Sequence, residues 1–197
     1  MHNDSVEPNL LTLLEKLMKW SELSNVPFES TVLRQELEAA FERVVVNSVS
    51  RAGVFAFVDG VKLDLVRHDQ KWIKPYDQLQ TFRLASLADV SAMKVYAVMG
   101  RGSKKDFSDL LYLHENGLSL RSSLDNFLVK YGHDQQFSAV RSLNYFDDTA
   151  MEPDPVYRNG WTWQYVKDQM QGLSSALAQQ LTAENTRKDP GDWEVTP

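Results

Sequence analysis

Residues 84–114, LASLADVSAMKVYAVMGRGSKKDFSDLLYLH, constrain this chain more than any other stretch. They predict two helices joined by a short basic turn. Ser86 stands at the N-cap position of the first, with Asp89 three residues on, a spacing that satisfies the free amide groups of a helix start. Gly100, just past the last apolar residue, marks its end. Between Val90 and Met99 the only charge is Lys94, and helical spacing puts it on the face of Leu87, Val90, Ala97 and Val98. On a helix that is apolar nearly all round, Lys94 is expected to be at least partly buried. Two readings are open: an interior ammonium balanced by an opposite charge or a bound anion, or an aliphatic stem that covers the core edge while its head reaches water.

The second helix begins near Ser103, with Asp106 as the acidic member of a capping pair. Asp109 lies one turn beyond, on the stripe shared with Leu110 and Leu113, so two carboxylates project side by side at the border of an apolar face. Arg101, Lys104 and Lys105 surround Gly102 and Ser103 at the helix N-terminus, a natural place for an anion. A solvated basic turn beside a solvated acidic one gives the same pattern.

Upstream, Leu10, Leu13, Leu14, Leu17 and Met18 predict an amphipathic helix that ends before Asn25. Pro27 marks a break, and Ser30 or Thr31 caps a second helix with Leu33, Leu37, Ala40 and Phe41 on one face. Val44 to Val49 is β-like. Val54–Val58 and Val61–Val66 then flank Asp59-Gly60, a pair suited to the positive φ angles of a two-residue type I′ turn. In that register Phe57 faces Lys62 and Phe55 faces Asp64, while Val54, Ala56 and Val58 share the opposite face with Val61, Leu63 and Leu65. Both faces carry apolar side chains, as when a sheet is at least partly covered on each side. Asp64 is set beside aromatic rings, or is an aspartate at a half-exposed strand position next to Lys62.

After Gly117 the pattern is helical to about residue 182. Ser119 starts a helix with Leu120, Leu124, Phe127, Leu128 and Tyr131 inward, and Gly132 stops it. Phe137, Val140, Arg141 and Leu143 suggest another, ending around Asp147. The stretch DDTAMEPDPVYRNG, with two prolines and a glycine, reads as a loop. Thr162 caps a last helix in which Trp163, Val166, Met170 and Leu173 recur. Tyr145, Phe146, Trp161 and Trp163 are candidates for base stacking, but stacking platforms usually come with basic grooves, so an aromatic core is the preferred reading. Residues 183–197 are polar and proline-containing and are expected to be disordered.

With 197 residues the chain suits one domain, or one with an appendage. A formal net charge of −6 argues against broad nucleic-acid binding through bulk charge and leaves room only for a local basic site. The absence of cysteine excludes disulfides, thiolate chemistry and cysteine-based zinc sites. The four histidines are scattered, and surface or satisfied roles suit them best. No signal-peptide pattern opens the chain and no apolar run approaches membrane-spanning length, so a soluble, cytoplasmic protein without a membrane partner is expected.

The run LADVSAMKVYAVMGRGSKKDFSDLLYL resembles the signature of the AbiEii/AbiGii-type nucleotidyltransferase proteins, an Ala-Met-Lys helix followed by an Arg-Gly turn and a Lys-Asp-Phe-x-Asp-Leu run. The likeness extends back through FVDGVKLDLVRH and forward through RSLNYFDD to WTWQYVKDQM, from about Pro27 to residue 170. This resemblance implies a polymerase-β-like α/β (α+β) core with a small antiparallel-rich sheet over residues 1–115, followed by a helical region at 116–182. It also implies a toxin of a toxin–antitoxin pair that transfers a nucleotide from an NTP to an acceptor such as tRNA with the help of Mg²⁺. Carried onto this chain, Lys94 holds phosphate, with Arg101, Ser103, Lys104 and Lys105 beside the nucleotide. Asp109 and Asp106 complete the catalytic site, and Asp64 is the third carboxylate, a hard oxygen ligand for the metal. The family pattern opens with a Gly-Gly-Ser/Thr turn and an Asp-x-Asp pair, whereas here no glycine precedes Gly53 and no aspartate lies between Asp4 and Asp59. A second expectation therefore stands beside the first: a non-catalytic relative that binds a nucleotide or an antitoxin-like protein partner.

Overall fold

The computed structural model describes residues 29–79 and 82–188. The helix predicted at Leu10–Met18 and the end of the predicted disordered tail lie outside them. Packing divides the chain into two units, the first holding residues up to Asp69 together with Gln78–Phe82, the second holding Gln70–Asp77 and everything from Arg83 onward. The boundary thus lies upstream of the residue 115 read from the sequence.

The first unit is a helix on a three-stranded antiparallel sheet. Helix α1 (Ser30–Ala40) starts after Glu29, which makes no side-chain cap bond, so the cap expected from Ser30 or Thr31 is not formed. Phe41 turns extended and ends it. Strands β1 (Val44–Ser50), β2 (Gly53–Val58) and β3 (Val61–Val66) follow in the order β1-β2-β3. The β2–β3 turn has positive φ at both central residues, Asp59 and Gly60. A type I′ turn requires this. The register is the expected one, with Phe57 opposite Lys62 and Phe55 opposite Asp64. At the start of β2 a side chain is excluded, because a Cβ on Gly53 would sit 2.3 Å from the carbonyl oxygen of Leu65.

Leu37 and Phe41 pack on Ala56 and Val58, flanked by Val44, Val46, Val61 and Leu63. Among the described residues, helix α1 covers this face. On the opposite face Val45 and Phe57 are exposed while Phe55 is half-buried. Ala40 is exposed as well.

The second unit is helical: α2 (Leu87–Gly100), α3 (Lys104–Glu115), α4 (Leu120–Tyr131), α5 (Gln136–Ser142) and α6 (Trp163–Lys188). Two short strands, β4 (Asp77–Leu79) and β5 (Phe82–Leu84), precede them in sequence as a two-stranded ribbon that the sequence pattern did not suggest, with Gln78–Phe82 counted in the first unit. Each of the three predicted serine caps forms: Ser86 accepts from the Asp89 amide, Ser103 from Asp106 and Ser119 from Ser122. The core is built from Val95 and Val98 of α2, Phe107 and Leu111 of α3, Leu124 and Phe127 of α4, and Val166 and Met170 of α6. Helices α2 and α3 therefore pack with the later helices as one body.

Two boundaries differ from expectation. Helix α5 ends at Ser142, and the chain then turns so that Leu143 and Phe146 enter the core. Helix α6 continues through Lys188, so residues 183–188 are helical, with Thr186 bonding back to the Thr182 carbonyl. Among the described residues no helix is long and apolar enough to cross a membrane.

Candidate functional site

The turn between α2 and α3 brings together most of the residues singled out in the sequence. Gly102 makes the reversal possible. Its φ is positive, in the left-handed region that glycine enters without cost. A Cβ there would press on the Val98 carbonyl oxygen at 3.4 Å. The chain leaves α2 at Arg101 and enters α3 after Ser103, so Lys94, two turns back on α2, comes opposite the first two turns of α3.

There Asp106 is the hub. Its carboxylate takes two bonds from Arg101, Nε to Oδ2 at 2.7 Å and Nη2 to Oδ1 at 3.0 Å. Ser103 Oγ donates to Oδ2 at 2.7 Å, and Lys94 Nζ reaches Oδ1 at 3.3 Å. Burial by itself favours the protonated acid, but the bonds from Arg101 and Ser103 and the Lys94 charge outweigh it and hold the pKa below the usual carboxylate range. Lys94 also contacts Asp109 Oδ2 at 2.5 Å. Desolvation works against its ammonium, yet Asp109 and Asp106 overcome that and raise its pKa. Lys94 thus satisfies parts of both readings: it has carboxylate partners, and 28% of its side chain still meets solvent. Asp109 is half exposed and Arg101 largely so, which leaves an accessible charged surface over a buried aspartate.

Lys104 does something else. Its ammonium bonds the Glu152 carbonyl at 2.6 Å and Asp154 Oδ1 at 2.8 Å, 5.6 Å from the centre of the Trp163 ring. Its backbone amide, offered by the sequence reading to an outside anion, donates to Glu152 Oε2 at 2.7 Å. The first free N–H of α3 is thereby satisfied from within the protein. Lys105 is exposed and forms no ion pair among the described residues. Asp64 belongs to the sheet unit, where Lys62 Nζ lies 2.9 Å from its carboxylate. Among the described residues no group of three or more His, Asp or Glu is placed to hold a metal ion.

Two clusters escaped the sequence reading. Asp89, seen there only as a cap residue, forms a fully buried ion pair with Lys130 at 2.8 Å. The same carboxylate accepts from Ser86 Oγ and from the amides of Ile73 and Lys74, and Lys130 also bonds the Lys71 carbonyl. Burial alone would raise the Asp89 pKa, but these donors, Lys130 foremost, bring it to about 2. The one signal in the sequence was Lys130 itself, a charge in the last turn of an otherwise inward-facing pattern.

The second is aromatic. Of the four rings expected in the core, Phe146 is buried against Phe107, Trp161 and Trp163 are partly buried against the core, and Tyr145 is exposed. Trp161, partly buried against the same core, joins Tyr112, Tyr157 and Tyr165 at ring-centre distances of 6.5, 6.3 and 5.7 Å. Tyr112 sits one turn beyond Asp109 on the same side of α3. More than half of its surface is exposed.

The chain is similar to the Aquifex aeolicus (strain VF5) protein named Uncharacterized protein aq_aa25, at 28% identity over 130 residues. That match takes in 64% of this chain and 62% of the Aquifex protein, so the chain spans less than two thirds of that relative's length. No family model matches the chain. No solved structure matches it either.

Proposed function

We propose that this chain is a nucleotidyltransferase-type protein of the toxin–antitoxin kind. It takes the phosphates of an NTP at the α2–α3 turn, on Lys94, Arg101, Ser103 and Lys105, and passes a nucleotide to an acceptor such as tRNA in the cytoplasm. The observation that carries this reading is the meeting of Lys94 and Asp109 at 2.5 Å on an accessible surface, with Asp106 buried behind them. An incoming phosphate replaces one anion, Asp109, by another at Lys94, so the ammonium stays paired while Asp109 is released.

A Mg²⁺ that arrives on the phosphates needs only one or two carboxylates, and Asp109 is the exposed one at this turn. Asp109 would hold such an ion, and the chemistry it would supply is neutralisation of charge on the phosphates. Lys104 is set aside from the phosphate group by its bonds to Glu152 and Asp154.

The second reading, a non-catalytic relative that binds a nucleotide or an antitoxin-like protein, is favoured by two observations. The chain lacks the Gly-Gly-Ser/Thr and Asp-x-Asp segment, and both oxygens of Asp106 are already occupied by cations of the protein itself. Calorimetric titration with each NTP, with and without Mg²⁺, separates the two. Saturable, Mg²⁺-dependent binding that Lys94→Ala abolishes and Asp109→Asn weakens, with circular dichroism unchanged, is the expected result. Absence of binding to every NTP, with the fold intact, leaves the protein-partner reading.

A further inference from the structure

The aromatic rim beside this site is the feature that the function just proposed does not use. Along α3 the exposed positions are Lys105, Asp109, Tyr112 and Glu115, and the first three stand at the spacing that places them on one side of a helix. From Lys105 to Tyr112 the helix rises about 10 Å, at about 1.5 Å per residue. At the far end Tyr112 meets Trp161 edge-on, and Trp161 in turn packs on Tyr165. Tyr165 is fixed by a 2.9 Å bond from its hydroxyl to Glu115, and Tyr157 by a 2.9 Å contact with Ser108. These rings are held from α3, from the loop before α6 and from α6 itself, yet Tyr112 keeps more than half its surface in solvent. A fixed and open aromatic surface one turn from the accessible Lys94–Asp109 pair is an arrangement that fits an aromatic ligand carrying charge better than an apolar one.

Resting on the reading that the phosphates lie at Lys94 and Arg101, we infer that the heterocyclic base of the nucleotide stacks on Tyr112 and Trp161. The ligand lies along α3, its phosphates at the basic turn and its base on the exposed tyrosine ring. Every nucleobase has a π face, so the surface adds affinity with little choice among bases. Tyr112 is then a binding residue, while Tyr157 and Tyr165 position the indole beside it.

The test compares two kinds of probe on the full chain in the presence of Mg²⁺: each of the four ribonucleoside triphosphates, and inorganic tripolyphosphate, which has the anionic part alone. Tyr112 is exposed, so Tyr112→Ala should fold, and Tyr112→Phe keeps the ring. The expected result is that the nucleotides bind more tightly than tripolyphosphate. Tyr112→Ala should then cost them about tenfold in affinity, in line with the usual worth of one base–aromatic stack, while tripolyphosphate binding stays unchanged and Tyr112→Phe restores the loss. Equal nucleotide affinity in the natural chain and Tyr112→Ala overturns the base subsite and leaves the phosphate site standing. No binding of either probe to the natural chain overturns both.

Discussion

Each of the two buried aspartates in the helical unit is neutralised, but in different ways. Asp106 is neutralised at the surface, by an arginine and a lysine that still touch water, so its ligands can exchange. Asp89 is neutralised in the interior, by a fully buried Lys130 and two backbone amides, so its arrangement is fixed. The second case makes a pH prediction. The Asp89 pKa falls from 3.8 in an ordinary setting to about 2 in the fold, so the stabilisation it brings is complete above about pH 4 and is lost as the pH falls through 2. Urea midpoints measured from pH 5 to pH 2 should drop across that interval, and more steeply for the natural chain than for Asp89→Asn. Lys130→Met should cost on the order of 3 kcal/mol at neutral pH, because it strands a carboxylate that has no route to water. Equilibrium urea unfolding reads that directly, and a loss below about 1 kcal/mol would contradict the fully buried pairing.

At the scale of elements, what was legible in the sequence was local. The serine caps at Ser86, Ser103 and Ser119 depend on residues three apart, and the β2–β3 register depends on a two-residue turn, so both follow from short windows. The cluster of Lys94, Asp106 and Asp109 was legible because a short glycine turn folds one helix back on the next. What was not legible is what distant residues supply. Glu152 and Asp154 reach Lys104 from 48 and 50 residues away, and Lys130 reaches Asp89 from 41. No periodicity encodes such pairings. The ribbon β4–β5 has strands of three residues each, too short for an alternation to register. The last turns of α6, Thr182 to Lys188, are polar but for Ala183 and carry no amphipathic signal. The Lys104 contacts also fasten a loop: Glu152, Asp154 and Tyr157 all attach to the first two turns of α3. Lys104→Met should therefore free residues 147–158 while leaving the core in place. Amide hydrogen exchange should show protection lost in that segment and kept in α2 and α4; uniform loss across the unit would mean that Lys104 supports the core itself.

The whole molecule is acidic, with a net charge of −6, and Lys94 and Arg101 of its candidate site are already engaged by Asp106 and Asp109. Long-range attraction for a polyanion is thus weak, and affinity has to come from contacts at the turn and on the aromatic rim. Connectivity adds a constraint of another kind. The backbone passes from one unit to the other three times, after Asp69, after Asp77 and after Phe82, because residues 78–82 count with the sheet unit while both flanks count with the helices. Neither unit is therefore an uninterrupted stretch of the gene. A homologous recombination joint anywhere between codons 70 and 82 would therefore leave each offspring chain with at least one unit drawn from both parents.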